Sequence, residues 1–386
     1  MTATIKGIYG YGLDISTLDE AVQELYLLAQ DMFQGAFSAA RIKQNGGETL
    51  YPHILEFPLD PEFNAASKEL PNGGCAIAIN ASVPYLIFAA CFIYSTSIDV
   101  LTGLPKLTNN KLPRYEIQYE LIRTLKRLPT SGEGYSVLFE KLIAHKDYQS
   151  ANLNYSIFLY AISIRFVLMH EIMHVVLGHT SYLQNELGLR EYIEFSSSDR
   201  MSHDPEFFHC LEFLADRHAI RGIAEKMISR DPRYQVGAEQ ELIRNATVSR
   251  DSYVLRAVMT APTLLFHLFP YKDGLLEKPI TTHPIPYIRA QWICMELGHE
   301  FQSSNMFEAD ILTPMAYTVA NLSSNFRCPG NWANATQMDA ESSKNGKLQI
   351  SDIAYERILQ LSGKWSSHIY KEYGPKFRSN EGELIP

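Results

Sequence analysis

From Tyr155 to His179 the chain is a nearly continuous apolar run, and near its end stands His170-Glu171-Ile172-Met173-His174. A helix this apolar has no face to turn toward water, so it must be enclosed by other elements. That constraint carries the polar cluster into a core, where charge has to be compensated. Each helical residue advances about 100°, so His170 and His174 lie roughly 40° apart on one face. Two imidazoles placed this way can bind one Zn²⁺, with Glu171 about a quarter-turn away as a base for water. The pattern H-E-x-x-H has three fixed positions and also arises by chance, so its weight depends on what else the chain supplies.

The chain has 386 residues, 46% hydrophobic and 20% charged, enough for a large core or two domains. Its formal charge is -9 and it has no Lys/Arg-rich run, which argues against nucleic acid as the main partner. The five cysteines are scattered and form no C-x-x-C pair, which suits a reducing, cytoplasmic setting better than a disulfide framework. The N-terminus, Met1 to Asp14, has no basic region followed by an apolar core and reads as no signal peptide. Val83–Tyr94 is too short for a membrane span, and Tyr155–Met169 is interrupted by Arg165. A span needs about 20 apolar residues, so both are expected to be buried helices.

Periodicity predicts helices over Leu18–Phe33, Pro84–Leu101, Arg114–Leu128, Ala151–His179, Asp204–Ile228, Ala238–Phe269, Pro286–Leu297 and Ser351–Tyr373. Leu50–Leu59 and Gly74–Asn80 read as strands, and the Ala76–Asn80 stretch is a candidate sheet edge for an extended peptide. Thr180–His203 and Asn325–Lys347 read as polar connections. The expected fold is α+β and mainly helical, with a small sheet. Residues 1–150 form an N-terminal region with that sheet, separate from or continuous with the core. Residues 151–300 are the core, and 301–386 a C-terminal helical region.

A catalytic zinc needs a third protein ligand and an open position. The helix after Asp204 carries Glu212-Phe213-Leu214-Ala215-Asp216, whose two carboxylates share a face at i, i+4. Glu212 is the candidate ligand. Asp216 can accept a hydrogen bond from the free ring nitrogen of His170 and fix its tautomer. His209, three residues before Glu212, is the competing ligand, and His203 and His218 read as surface or packing residues. His179, five residues after His174, points away from the metal if the helix continues, although Gly178 marks a helix end.

With these elements in place the chain resembles the gluzincin metallopeptidases, specifically the HtpX and CaaX prenyl protease group. That group combines H-E-x-x-H, often with a further histidine five residues on, with E-x-x-A-D and a later H-P followed by arginine. Here the last element is Thr282-His283-Pro284 with Arg289. The three elements span His170 to Arg289. The chain departs from the group at Met173, where glycine is usual, and residues 1–150 and the C-terminal region match nothing in it. The resemblance implies a zincin-like core and hydrolysis of peptide bonds, with His283 near the substrate and Arg289 bracing the site by pairing with an acidic residue.

The function expected is therefore that of a soluble zinc endopeptidase acting on a protein or peptide. His170, His174 and Glu212 are its metal ligands, and Glu171 and His283 its catalytic residues. One alternative is a regulatory or binding protein with a structural zinc, for which Cys210 would be a candidate ligand. Another is a latent protease activated by a regulatory partner, with 83–101 or the C-terminal region covering the cleft. The phage-exclusion Lit peptidases, cytosolic proteins with H-E-x-x-H, make a defence or toxin-like role a neighbouring reading.

Overall fold

A computed structural model describes residues 4–37, 40–44, 47–49, 53–60, 64–70, 74–106, 133–146, 149, 151–188, 192–193, 205–268, 286–301, 310–311, 314, 318, 350–373 and 377–379. The predicted helix 114–128, the loop 325–347, Asp204 and His283 lie outside them.

The chain opens with a hairpin, β1 (Thr4–Gly7) and β2 (Gly10–Leu13), then α1 (Glu20–Phe37). Val22, Leu25, Tyr26, Ala29 and Phe33 form the buried stripe of α1 at helical spacing. Short strands follow: β3 (Ala40–Gln44), β4 (Gly47–Thr49), β5 (His53–Glu56), β6 (Ala65–Glu69) and β7 (Cys75–Ile79). Next come α2 (Ser82–Ser95), β8 (Ile98–Asp99), β9 (Leu104–Pro105) and α3 (Glu133–Ala144). The central helix is α4 (Leu153–Val176), followed by α5 (His179–Leu187), β10 (Tyr192–Ile193) and α6 (Pro205–Ile228). A 3₁₀ turn (Pro232–Tyr234) leads to α7 (Gly237–Asn245) and α8 (Arg250–His267). The last elements are α9 (Pro286–Phe301), α10 (Ile350–Tyr373) and β11 (Phe377–Ser379). The fold is mainly helical with small sheets.

The largest sheet has the order β10-β6-β7-β5, with β5 parallel to β7 and the other pairs antiparallel. The expected edge role of Ala76–Asn80 is thus corrected: β7 is hydrogen-bonded on both sides and wholly buried. Its five apolar residues are what an inner strand requires. The Cys75, Ile77 and Ile79 side chains join the core. The N-terminal hairpin is held against β5 by the Glu56 carboxylate, which accepts from the Ile8 and Tyr9 amides at 2.7 and 2.9 Å.

Beyond shifts of a few residues at the ends of α1 and α9, three departures from the periodic pattern each have a local reason. The helix predicted over 84–101 ends at Ser95. There the Ser95, Thr96 and Ser97 hydroxyls each donate to the carbonyl three residues back, at 2.7 Å, and the chain turns into β8 and β9. The pattern over 238–269 is two helices, because Ser249 caps α8 by accepting from the Ser252 amide at 3.2 Å. The run 151–179 breaks at Gly178, whose φ of 78° lies in the left-handed region that glycine enters without strain. The residues after it form α5 rather than a polar connection.

By length and composition α4 is able to cross a bilayer, but 94% of its apolar window is buried inside the protein. It packs against α1, α2, α6 and α8. Every residue of α2 is buried as well. Each fully buried Leu, Ile or Phe of this core contributes about 1.5–3 kcal/mol relative to exposure. Tyr160 of α4 also finds a polar partner, donating to the Leu25 carbonyl at 2.6 Å.

Candidate metal centre

Three helices build the site. The C-terminal turns of α4 carry His170, Glu171 and His174, α6 carries Glu212 and Asp216, and α9 carries Arg289. Ala215 and Ala219 of α6 are fully buried in the core that α4 shares, and their small side chains let the two helices approach closely.

His170, His174 and Glu212 are the group among the described residues able to hold a metal ion, and all three are buried. The His170 and His174 Nε2 atoms are 3.0 Å apart. Glu212 Oε2 lies 3.4 Å from His170 Nε2, and Oε1 lies 3.7 Å from His174 Nε2. A tetrahedral zinc with bonds near 2.0–2.1 Å needs ligand atoms roughly 3.3 Å apart. The three donors therefore already stand close to the edges of such a shell. Two imidazole nitrogens and one carboxylate also leave its fourth position to solvent or substrate.

The groups behind the ligands fix their orientation. His170 Nδ1 is 2.8 Å from Asp216 Oδ1, so the Nε2 of that ring faces inward as a ligand must. Arg289 donates to both oxygens of Asp216, through Nε and Nη2 at 2.8 Å each. Its Nη1 lies 3.3 Å from Glu212 Oε2, and its guanidinium rests over the Phe266 ring at 4.7 Å. One fully buried cation thus bridges two buried carboxylates that would otherwise repel.

Periodicity misses His179. A continuing helix sends it away from the metal, but the left-handed Gly178 restarts the helix and returns its ring to His174. The two Nδ1 atoms are 3.0 Å apart. His179 takes for His174 the place that Asp216 takes for His170. The turn at Gly178 is the signal in the sequence that finds it. The His179→Ala variant is expected to bind zinc about 10–100-fold more weakly, as for other partners of a ligating histidine. Competition against a zinc chelator measures this. Wild-type affinity in the variant makes His179 a packing residue.

Burial by itself favours the neutral form of His170, but the carboxylates of Asp216 and Glu212 outweigh it and raise its pKa well above 6.5. Burial, together with the neighbouring His170 charge, holds His174 well below that value. A single N–H···N bond between the Nε2 atoms needs a proton on one of those two nitrogens. A metal has to displace that proton. Zinc affinity should then rise about tenfold per pH unit until the pKa of His170 is passed. Titrations across the neutral range check it, and an affinity independent of pH contradicts it.

Glu171 is fully buried beside His170. Met173, at the position where the resembling group has glycine, packs into the main core. His209 is half-buried and lies outside the three-residue cluster, as does His218. Cys210 is buried with Phe213, Trp292 and Tyr355 in a separate aromatic cluster. Comparison with protein-family models, with curated proteins and with solved structures finds no match to this chain.

Proposed function

We propose that this chain is a zinc-dependent peptidase with a zincin-like core, hydrolysing peptide bonds at the centre formed by His170, His174 and Glu212. The observation that carries the reading is the convergence of two histidine nitrogens and a carboxylate within 4.8 Å of one another, with Glu171 adjacent in the helix. A structural zinc usually fills its fourth position, often with cysteine, and gains nothing from a neighbouring base. Cys210 packs among aromatic rings instead.

Zinc, when bound, supplies a Lewis acid that polarises a carbonyl and makes water acidic near neutral pH. Glu171 takes the proton from the attacking water and delivers it to the leaving amine. Asp216 and His179 hold the two ligating rings in one tautomer, so neither ring reorients during turnover. Arg289 keeps Asp216 and Glu212 in place. By resemblance, His283 stabilises the developing oxyanion, and His283→Ala is expected to lower turnover about 100- to 1000-fold. Cys75, Cys91 and Cys294 are free, buried thiols, which suits a cytoplasmic enzyme.

New protein N-termini, compared between cells expressing wild type and Glu171→Gln, test the reading and find the substrate. Termini present only with wild type support it. Identical sets in both, with both proteins metal-loaded, exclude hydrolysis through Glu171.

A further inference from the structure

The face of α4 opposite the metal ligands buries a second charge. Arg165 precedes His174 by about two and a half helical turns, so the two side chains leave α4 in opposite directions. Arg165 is only 5% exposed. Its Nη1 donates to the Tyr234 carbonyl at 3.2 Å and its Nη2 to the Arg233 carbonyl at 3.4 Å. The guanidinium lies over the Tyr234 ring at 4.7 Å. All of these partners are neutral.

Among the described residues no carboxylate stands at ion-pair distance from Arg165. The acidic groups whose fields reach it are Glu239 and Asp231. Glu239 is engaged by Arg250 at 2.6 Å, and Asp231 accepts from Arg233 Nε and Nη2 at 3.0 and 2.6 Å. Burial lowers the pKa of Arg165 to about 10, the mark of a charge without full compensation. A guanidinium offers five donors, and two are used here, at long distances. A buried charge left in this state is costly unless an opposite charge joins it.

Arg165 lines a cleft between α4, α1 and the 232–234 turn, of about 290 Å³ including its open mouth. Arg233 lines it too, with apolar walls from Met32, Ala36, Leu168 and Met169. Asp231 pairs with Arg233, so among the described residues lining or facing the cleft the uncompensated cation is Arg165. The apolar walls offer nothing to the extra oxygens of a phosphate. We propose that this cleft binds one small monovalent anion, chloride or an acetate-sized carboxylate, seated on the Arg165 guanidinium. The anion would tie α1 and the 232–234 turn to the back of the metal-bearing helix.

The test uses the full chain in chloride and in gluconate at equal ionic strength, gluconate carrying a long polyhydroxy tail that the apolar walls do not accept. Chloride should raise the melting temperature with a saturable dose dependence and broaden the ³⁵Cl resonance, and acetate should reverse the broadening by competition. Arg165→Met should lose both effects. Ala36→Phe gives a second route, since Ala36 lines the cleft and packs against the core, so a larger side chain there occupies the cleft with Arg165 intact. It too should lose the chloride effects, and it decides the matter if Arg165→Met does not fold. No saturable chloride effect in wild type overturns the proposal, as does an unchanged effect in either folded variant.

Discussion

Glu171→Gln should leave the protein folded and metal-loaded while lowering peptide hydrolysis by about 10²- to 10⁴-fold, the usual worth of a positioned general base. The substitution keeps size and shape in a position with no exposed surface, so no cavity forms. His170, His174, Glu212, Asp216 and Arg289 all stay, so the metal donors and their supports are intact. What is lost is one carboxylate able to accept a proton. The loss should fall on kcat, because in the proposed mechanism Glu171 acts in the transition state rather than in holding substrate. Melting temperature, zinc content and steady-state kinetics on one preparation separate the cases. Unaltered kcat removes Glu171 from the chemistry, whereas a fall in zinc content makes it a structural support of the site.

Arg289→Met should destabilise the metal-free protein by about 3–5 kcal/mol, the range for removing one partner of a buried ion pair. Arg289 is 1% exposed and makes two 2.8 Å bonds to Asp216 besides its approach to Glu212. Methionine restores most of the volume, so a cavity contributes little. The dominant cost is the pair of carboxylates left facing each other across one helical turn, with His170 as the cation that remains beside them among the described residues. Arg289→Lys keeps the charge but not the two parallel bonds, and should lie between wild type and Arg289→Met. Zinc should narrow the difference, because the ion brings positive charge to Glu212. Denaturant unfolding with and without zinc measures both effects. A loss below about 1 kcal/mol would place this pair in the range of exposed salt bridges and contradict its buried role.

Much of the site could be read from spacing. The i, i+4 relation puts His170 and His174 on one face and Glu212 and Asp216 on another, and their donors converge because α4 and α6 pack together. The contact of Asp216 with His170 follows from the same logic, and Arg289 meets the acidic partner that the resemblance implied. What spacing could not carry was a change of direction. His179 reaches His174 only because Gly178 adopts a left-handed turn, and periodicity assumes a straight helix. Strand position was hidden too. An apolar run such as Cys75–Ile79 fits an inner strand, but its neighbours are fixed by pairing with distant residues. The helix read over 84–101 overran α2, because periodicity does not register the Ser95–Ser97 hydroxyls that compete for helix carbonyls and end it. Arg165 read simply as an interruption of an apolar run, since its neutral partners come from the 232–234 turn.

The central claim is that His170, His174 and Glu212 jointly hold one metal ion. Equilibrium dialysis against zinc, with metal counted by mass spectrometry, tests it on wild type, Glu212→Ala and His209→Ala. The account predicts one zinc per chain in wild type and in His209→Ala, and an affinity at least about 100-fold weaker in Glu212→Ala, beyond the loss expected for a mere partner of a ligand. Wild-type protein that takes up no stoichiometric zinc would contradict it, as would Glu212→Ala that binds as tightly as wild type.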